Sequence, residues 1–125
     1  MRSASRRDFV KGLLTGASAL VIGFDPVERS WVTEAHAKKP KHDQVKVPNF
    51  DGQLITDPAG VAEYSEDFGK FIHKTPRAVL LPASVDDVVK AVKFCRKYGI
   101  SVAGRGQGHS SGGQSLVQNG LVIDM

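Results

Sequence analysis

Glycines surround a single His-Ser pair between residues 104 and 115, and this stretch has the residue types and spacing that suggest chemistry. Glycine has no Cβ, so the backbone N–H groups of a glycine-rich loop can approach a ligand closely, and a row of such amides suits a pyrophosphate. His109 lies between Gly108 and Ser110, where a core role is sterically unfavourable. Its chemistry leaves three roles open: a phosphate contact, a general base, or a surface side chain without a function. The glycines of this loop are Gly104, Gly106, Gly108, Gly112 and Gly113.

The spacing excludes two familiar phosphate loops. A dinucleotide-binding fingerprint needs G-x-G-x-x-G running into a helix, and a nucleoside triphosphate loop needs Gly-Lys-Ser or Gly-Lys-Thr. Counting from Gly106, the third glycine would fall at Ser111, and the apolar run 121–125 that follows predicts a strand and not a helix. The sequence therefore predicts a loop between two strands, which would hold a phosphate with turn amides and without a helix dipole.

A strand, a helix and a second strand are predicted to position this loop. The apolar run 78–81, closed by a proline, predicts a buried strand, and Ser84 with Asp87 forms a capping box that predicts a helix over 85–98. Residues 100–103 are predicted to form a second strand parallel to the first, so the loop leaves the strand end where ligands of α/β sheets bind. The predicted apolar face of the helix consists of Val85, Val88, Val89, Val92 and Cys95.

Residues 1–37 have the pattern of an export signal. Arg6-Arg7 and the residues around it resemble the bacterial twin-arginine motif, and the apolar run 12–24 is short and diluted by glycine. Residues 35–37, Ala-His-Ala, supply a small-x-small cleavage pattern. We therefore predict a twin-arginine signal peptide over 1–37 that engages the twin-arginine translocase, without stable membrane insertion, and delivers the protein to the periplasm or the medium.

The rest of the chain divides near residue 62. Residues 38–61 carry Lys, Pro, Asn and Asp with little periodicity, which predicts a linker or irregular arm with one short extended piece at 45–47. Residues 57–68 allow a weak helix or an irregular arm. Residues 62–125 hold the strand-helix-strand unit and the glycine loop, and they are predicted to be the domain.

The composition excludes several classes of function. The formal net charge of +4 is spread along the chain, and the short basic cluster at 38–41 reads as a solvated linker, so no nucleic-acid surface is predicted. A single cysteine rules out an internal disulfide framework and a two-cysteine zinc spacing, and Cys95 is predicted to be a small core residue. No histidine has a ligand-spaced partner, so no metal site is predicted.

Four groups of residues resemble, in order and spacing, the N-terminal part of the FAD-binding domain of the vanillyl-alcohol oxidase and p-cresol methylhydroxylase superfamily, and within it the cytokinin dehydrogenases and their bacterial FAD-linked relatives. The resemblance implies an α+β fold, with a strand, helix and strand followed by the glycine loop and a further strand. The groups are Asp67-Phe68-Gly69, the run 76–87 with Ser84-Val85-x-Asp87, Gly104–Ser110, and Gly113-Gln114 with Val122-Ile123-Asp124-Met125.

The resemblance implies that FAD is the cofactor and that His109 is its covalent attachment site, through a ring nitrogen and the 8α-methyl group of the flavin. A neutral imidazole is a suitable nucleophile for that bond near neutral pH. The match by position also implies FAD contacts, mainly through backbone amides to the pyrophosphate, at Gly104, Arg105, Gly106, Gln107, Gly108, Ser110, Gln114 and Ser115.

The implied function is that of a secreted flavin-dependent oxidoreductase, which passes a hydride from a small amine or alcohol to FAD and the electrons on to oxygen or a quinone. The resemblance places the proton acceptor for the substrate beyond Met125, so no catalytic residue is assigned and the chain is expected to be a partial, inactive product by itself. Two alternatives stay open: a fragment that does not bind flavin, and the corresponding piece of a sugar or lactone alcohol oxidase.

Overall fold

The computed structural model describes residues 20–34 and 42–125. The twin-arginine motif and the predicted cleavage pattern at 35–37 lie outside these residues. In chain order the elements are β1 (Val21–Asp25), β2 (Ser30–Thr33), β3 (Gln53–Ile55), α1 (Pro58–Ala62), β4 (Ala78–Leu81), α2 (Val85–Tyr98), β5 (Val102–Arg105) and β6 (Leu121–Asp124).

A four-stranded sheet with the order β3-β4-β6-β5 forms the centre of the fold. β4, β6 and β5 run parallel, and β3 pairs with β4 in the antiparallel sense. The predicted parallel arrangement of the strands on either side of the helix is confirmed, although β6 lies between them. Both faces of β4 and β6 are buried, which explains why these strands read as continuous apolar runs without alternation.

The predicted helix is confirmed at both ends. Ser84 caps the N-terminus of α2 by accepting a hydrogen bond from the amide of Asp87 at 3.2 Å. Gly99 ends the helix in the left-handed conformation with φ 65°, which glycine adopts without steric cost.

The predicted apolar face of α2 is wrong for most of its members. Val85 is 80% exposed, and Val89 and Val92 are 41% and 46% exposed. The buried residues are Asp87, Ala91, Phe94 and Cys95, so Cys95 is the one member of the predicted face that is buried. Apolar residues recur at helical spacing on two faces of α2. The face with Phe94 packs against the sheet because it buries the larger apolar area.

The described part of the predicted arm, residues 42–61, is more ordered than the sequence predicts. It contributes β3 to the sheet edge and nearly all of α1, whose N-cap Asp57 accepts a hydrogen bond from the amide of Gly60 at 3.1 Å. Gly52 lies so close to β4 that a Cβ there would be 2.0 Å from the carbonyl oxygen of Leu81. A three-residue strand is too short to show a period, so the pattern could not reveal it.

The buried carboxylate of Asp87 fastens this arm to the start of α2. It accepts hydrogen bonds from the amides of Asp51, Gly52 and Ala83 at 2.7–2.8 Å. Burial by itself would raise the pKa of Asp87, but these backbone hydrogen bonds outweigh burial and hold the pKa below its usual value. One ionised side chain therefore satisfies three amides that no strand ladder pairs.

Residues 21–33, inside the predicted signal peptide, form an antiparallel hairpin of β1 and β2 that packs on α2. Phe24 is 1% exposed, and its backbone exchanges two hydrogen bonds with Val45, within the short extended piece predicted at 45–47. Four rings with neighbouring centroids 4.8–5.9 Å apart form what we call the aromatic cluster, which consists of Phe24, Trp31, Phe94 and Tyr98.

Arginines hold the turn of this hairpin against the sheet and the helix. Arg29 donates to the carbonyl oxygens of Tyr98 and Gly99, at the C-terminus of α2, where a cation interacts favourably with the helix dipole. Arg77 donates to the carbonyl oxygens of Glu28 and Arg29. The hairpin is thus joined to the domain by its side chains and by its backbone.

Replacing Phe24 with alanine should lower the free energy of unfolding by about 3–5 kcal/mol, because it removes a buried ring from the aromatic cluster. The matched control is Phe71→Ala, since Phe71 is 88% exposed and its loss should change stability by less than about 0.5 kcal/mol. Urea unfolding followed by far-ultraviolet circular dichroism measures both. Equal stabilities of the two variants would show that the hairpin does not contribute to the core.

Candidate cofactor site

The glycine loop begins where β5 ends, at Arg105, and returns to β6 at Leu121. It leaves from the carboxyl ends of the parallel strands, as predicted. A cleft of about 850 Å³ opens beside the loop, a volume within the range of small-molecule sites. His109 is exposed beside this cleft, and the other lining residues from the loop and from the segment before β4 include Arg105, Gln107, Gly108, Glu63, Asp67, Phe68 and Lys70.

Arg105 lies beneath the loop, where it is 3% exposed. Its guanidinium carbon is 5.3 Å from the centroid of the Tyr64 ring. The hydroxyl of Tyr64 donates to the buried carboxylate of Asp124 at 2.7 Å, and Asp124 is the register partner of Arg105 on β6. Arg105 is thus a predicted site residue whose side chain is packed into the domain while it still lines the cleft.

Two glycines of the loop are required by the backbone. Gly108 has φ 74° and Gly113 has φ 81°, values that a side chain with a Cβ rarely adopts. A Cβ on Gly108 would also lie 2.6 Å from a guanidinium nitrogen of Arg105. Gly104 and Gly106 have open space where a Cβ would be, so at these positions the backbone is accessible to a ligand.

The carboxylate of Asp67 holds the second half of the loop. Asp67 is 4% exposed, and its Oδ2 atom accepts hydrogen bonds from the Ser110 hydroxyl at 3.0 Å and from the Gly113 amide at 2.8 Å. Its Oδ1 atom accepts from the Lys70 amide at 3.3 Å. Burial would raise the pKa of Asp67, but these hydrogen bonds outweigh burial and lower it.

Phe68 and Gly69 hold the backbone on both sides of His109. The amide of Phe68 donates to the carbonyl oxygen of Gly108 at 2.7 Å, and the amide of Gly69 donates to that of Ser110 at 3.3 Å. The rings of Phe68 and His109 meet edge to face, with centroids 5.7 Å apart. A Cβ on Gly69 would lie 2.5 Å from the carbonyl oxygen of Ser111, so this close approach requires glycine.

The side chains of Ser110, Gln114 and Ser115 are engaged within the loop. The hydroxyls of Ser110 and Ser115 are 2.8 Å apart, and Ser115 is buried. Gln114 accepts a hydrogen bond from the amide of Gly112 at 2.9 Å. These side chains stabilise the loop conformation, and the predicted FAD contacts through their backbone amides stay a prediction.

The roles of Asp67 and Tyr64 were not predicted. Asp67-Phe68-Gly69 was identified only through the family resemblance, and Tyr64 lies in the segment predicted as a weak helix. A local signal existed for Asp67, since aspartate side chains often accept hydrogen bonds from nearby backbone amides in turns. Its contacts with Ser110 and Gly113 span more than forty residues, and no local pattern encodes them.

The other reactive or titratable side chains that the sequence singles out have structural surroundings. Cys95 is 1% exposed, and burial raises its pKa to about 11, so it is a core thiol, as predicted. His42 contacts Asp25 at 3.2 Å, and His73 lies 3.6 Å from Glu66. Within residues 20–34 and 42–125, no three or more His, Cys, Asp or Glu side chains are grouped to hold a metal ion.

Replacing Gly108 with alanine should lower the free energy of unfolding by at least about 1–2 kcal/mol, the cost of a left-handed conformation for a residue with a Cβ. The contact with Arg105 adds to this cost. Gly106→Ala is the matched control, because open space surrounds that position, and it should leave stability within about 1 kcal/mol of the parent. Thermal unfolding measures both, and a control as destabilised as Gly108→Ala would contradict the assigned loop conformation.

Comparisons with known proteins agree with this arrangement. A family model described as an FAD binding domain matches residues 76–125. The chain is 38% identical over 74 residues to cytokinin dehydrogenase 2 of Arabidopsis thaliana. This match covers 58% of the chain described here and 15% of the Arabidopsis protein. It is 39% identical over 76 residues to an uncharacterized oxidoreductase of the fasciation locus of Rhodococcoides fascians. This second match covers 61% of the chain and 17% of the bacterial protein.

The fold is also similar to that of a solved oxidase. The structure of 6-hydroxy-D-nicotine oxidase from Arthrobacter nicotinovorans superposes with a TM-score of 0.58 at 23% identity, over 65% of this chain and 18% of that chain. The chain thus spans less than a fifth of the length of each of these proteins. The family match, the relatives and the loop geometry agree: residues 76–125 match the FAD binding domain that the family model describes, and FAD is the cofactor of this domain. The relatives support the vanillyl-alcohol oxidase and p-cresol methylhydroxylase superfamily.

Proposed function

We propose that the protein is a flavin-dependent oxidoreductase in which His109 carries FAD through a covalent bond. The observation that carries this proposal is the position of His109, exposed beside the cleft while the backbone on both sides of it is held by Phe68 and Gly69. Because its backbone is held and its ring is exposed, His109 is suited as a nucleophile to form a bond with a bound cofactor.

The residues of the glycine loop fit FAD. Gly104 and Gly106 do not line the cleft, but they have open space where a Cβ would be, and the cationic Arg105 of the same loop does line it. When bound, the flavin supplies the redox chemistry: it takes a hydride from a C–H bond beside nitrogen or oxygen and passes the electrons to oxygen or a quinone. The loop residues bind and orient the cofactor, and none of them is assigned a proton-transfer step with the substrate.

Attachment requires a balanced oxidation. His109 would hold the cofactor through one ring nitrogen, which would lose its proton as one C–H bond of the cofactor breaks. Dioxygen would be the oxidant that takes up the two electrons and two protons released. His109 would contribute the nitrogen nucleophile.

For the substrate, the relatives favour an amine. Two similar proteins are cytokinin dehydrogenases, from Arabidopsis thaliana and rice. We therefore propose a small secondary amine of the cytokinin class as the substrate type. Oxidation of a sugar or lactone alcohol is the competing activity, and a comparison of turnover with the two substrate classes distinguishes them.

His109→Ala should abolish acid-stable flavin while leaving FAD that dissociates on denaturation, because the variant lacks the nucleophile and keeps the loop backbone. His73→Ala is the matched control, since His73 is an exposed histidine paired with Glu66, and it should keep the covalent flavin. The measurement is flavin absorbance in the acid-precipitated protein, which is expressed from its complete natural reading frame with FAD present. Yellow precipitate from His109→Ala would contradict the attachment assignment.

We also propose that the N-terminal segment directs export through the twin-arginine translocase. The paired Arg6 and Arg7 support this proposal, as does the need to export a cofactor-loaded protein in a folded state. In the described parts of the chain, no helix has the length and apolar character to cross a bilayer. Cleavage after Ala37 would remove Phe24 and Trp31 from the aromatic cluster, so the packing of the hairpin favours its retention in the folded protein.

Replacing both Arg6 and Arg7 with lysine should retain the protein in the cytoplasm, because that route reads the arginine pair. Arg2→Lys, a change of the same kind outside the pair, should leave export intact. Cell fractionation with immunoblotting measures export, and unchanged export of the double variant would contradict the proposal. The intact mass of the exported protein then shows whether residues 20–34 remain.

A further inference from the structure

We propose that Asp67 is a positioning residue for flavin attachment: it fixes the loop around His109 so that the imidazole ring is presented to the cleft. This inference rests on the proposed covalent role of His109. It concerns a residue outside the glycine loop, on the segment that precedes β4.

Asp67 acts on the loop at two points after His109. One carboxylate oxygen accepts from the hydroxyl of Ser110 and from the amide of Gly113, so it closes the turn between these residues. Ser110 directly follows His109, and Gly113 has the left-handed backbone conformation that turns the chain back. One buried acceptor thus holds the loop at two points beyond the histidine.

The two residues after Asp67 hold the loop backbone on either side of His109. Because the side chain of Asp67 anchors its own segment to the loop, the amides of Phe68 and Gly69 reach the carbonyl oxygens on either side of His109. The side-chain torsions of His109 are then the main freedom left to the ring, and the Phe68 ring contacts one side of it. Restricting a nucleophile in this way raises its effective concentration at the reacting atom.

Ionised Asp67 is an acceptor only, and its partners are donors. Its two oxygens face one hydroxyl and two backbone amides. An asparagine of the same shape would place an NH₂ group against an amide N–H in either orientation, which is repulsive. Asp67 is 4% exposed, and both of its carboxylate oxygens are engaged by donors of the protein, so it acts on His109 through Ser110 and Gly113.

The experiment compares attachment rates in Asp67→Asn and in a matched control, Asp87→Asn. Asp87 is a buried aspartate that also accepts backbone amides, but from residues 51, 52 and 83. Each protein, expressed from its complete reading frame and prepared without flavin, is incubated with FAD in air. Acid-stable flavin is measured over time at several FAD concentrations, on samples whose folded fraction is matched by circular dichroism.

For Asp67→Asn we expect the maximal attachment rate to fall about tenfold or more, because small misplacements of a reacting group have effects of at least this size. The FAD concentration that gives half the maximal rate should change less than about threefold, since binding groups are retained. Asp67 is ionised throughout the neutral range, so the ratio of parent and variant rates should stay constant between about pH 6 and 9. Asp87→Asn should attach flavin at the parent rate.

Several outcomes would overturn the inference. A parent-like rate in Asp67→Asn, or an equal loss in Asp87→Asn, would show that Asp67 does not position the loop for attachment. A ratio that changes with pH would indicate a proton-transfer role in place of positioning. If His109→Ala loses covalent flavin and Asp67→Asn does not, this inference alone fails, whereas a parent protein without covalent flavin contradicts the proposed function as well.

Discussion

The structure depends on the placement of β6 between two strands that precede it in the chain. β6 runs parallel to β5, so the chain that leaves the carboxyl end of β5 must return to the opposite end of the sheet before β6 can begin. Residues 106–120 make this return. At its end the amide of Leu121 donates to the carbonyl oxygen of Ser101, where a Cβ on Gly120 would lie 2.2 Å from that oxygen. The requirement for a long crossing is what creates the loop that carries His109.

Irregular segments leave backbone N–H groups that no strand or helix pairs. In this protein, buried carboxylates accept hydrogen bonds from several of these N–H groups. Asp67 accepts from the loop, and Asp87 accepts from the arm before β3. In both cases several hydrogen bonds stabilise the ionised form against the effect of burial, so each aspartate stays charged and fixes its donors strongly. Rigidity around the cofactor loop therefore comes from a polar network, whereas the sheet beneath it is held by apolar packing.

The hairpin of β1 and β2 lies in the segment that we propose directs export, and the same residues pack in the core. Apolar residues that suit a signal sequence also suit a core, and Phe24 with Trp31 packs on α2 as a core residue would. Arg29 strengthens this docking at the helix C-terminus. Removal of this segment from the folded chain would therefore lose apolar burial, which is the physical link between folding and the export proposed above.

The sequence by itself determined the elements that local rules govern, and it located the glycine loop at the carboxyl ends of the parallel strands. The capping box and the terminal glycine gave α2 its observed ends, the apolar run gave β4, and the glycine spacing excluded a helix-borne phosphate site. Only the tertiary structure decided which face of α2 is buried, because two faces carry apolar residues and the fit of Phe94 to the sheet selects one. Likewise, only the fold brings Asp67 to Ser110 and Gly113. Contacts between residues far apart in the chain depend on how the strands are ordered, and periodicity and spacing carry no information about that order.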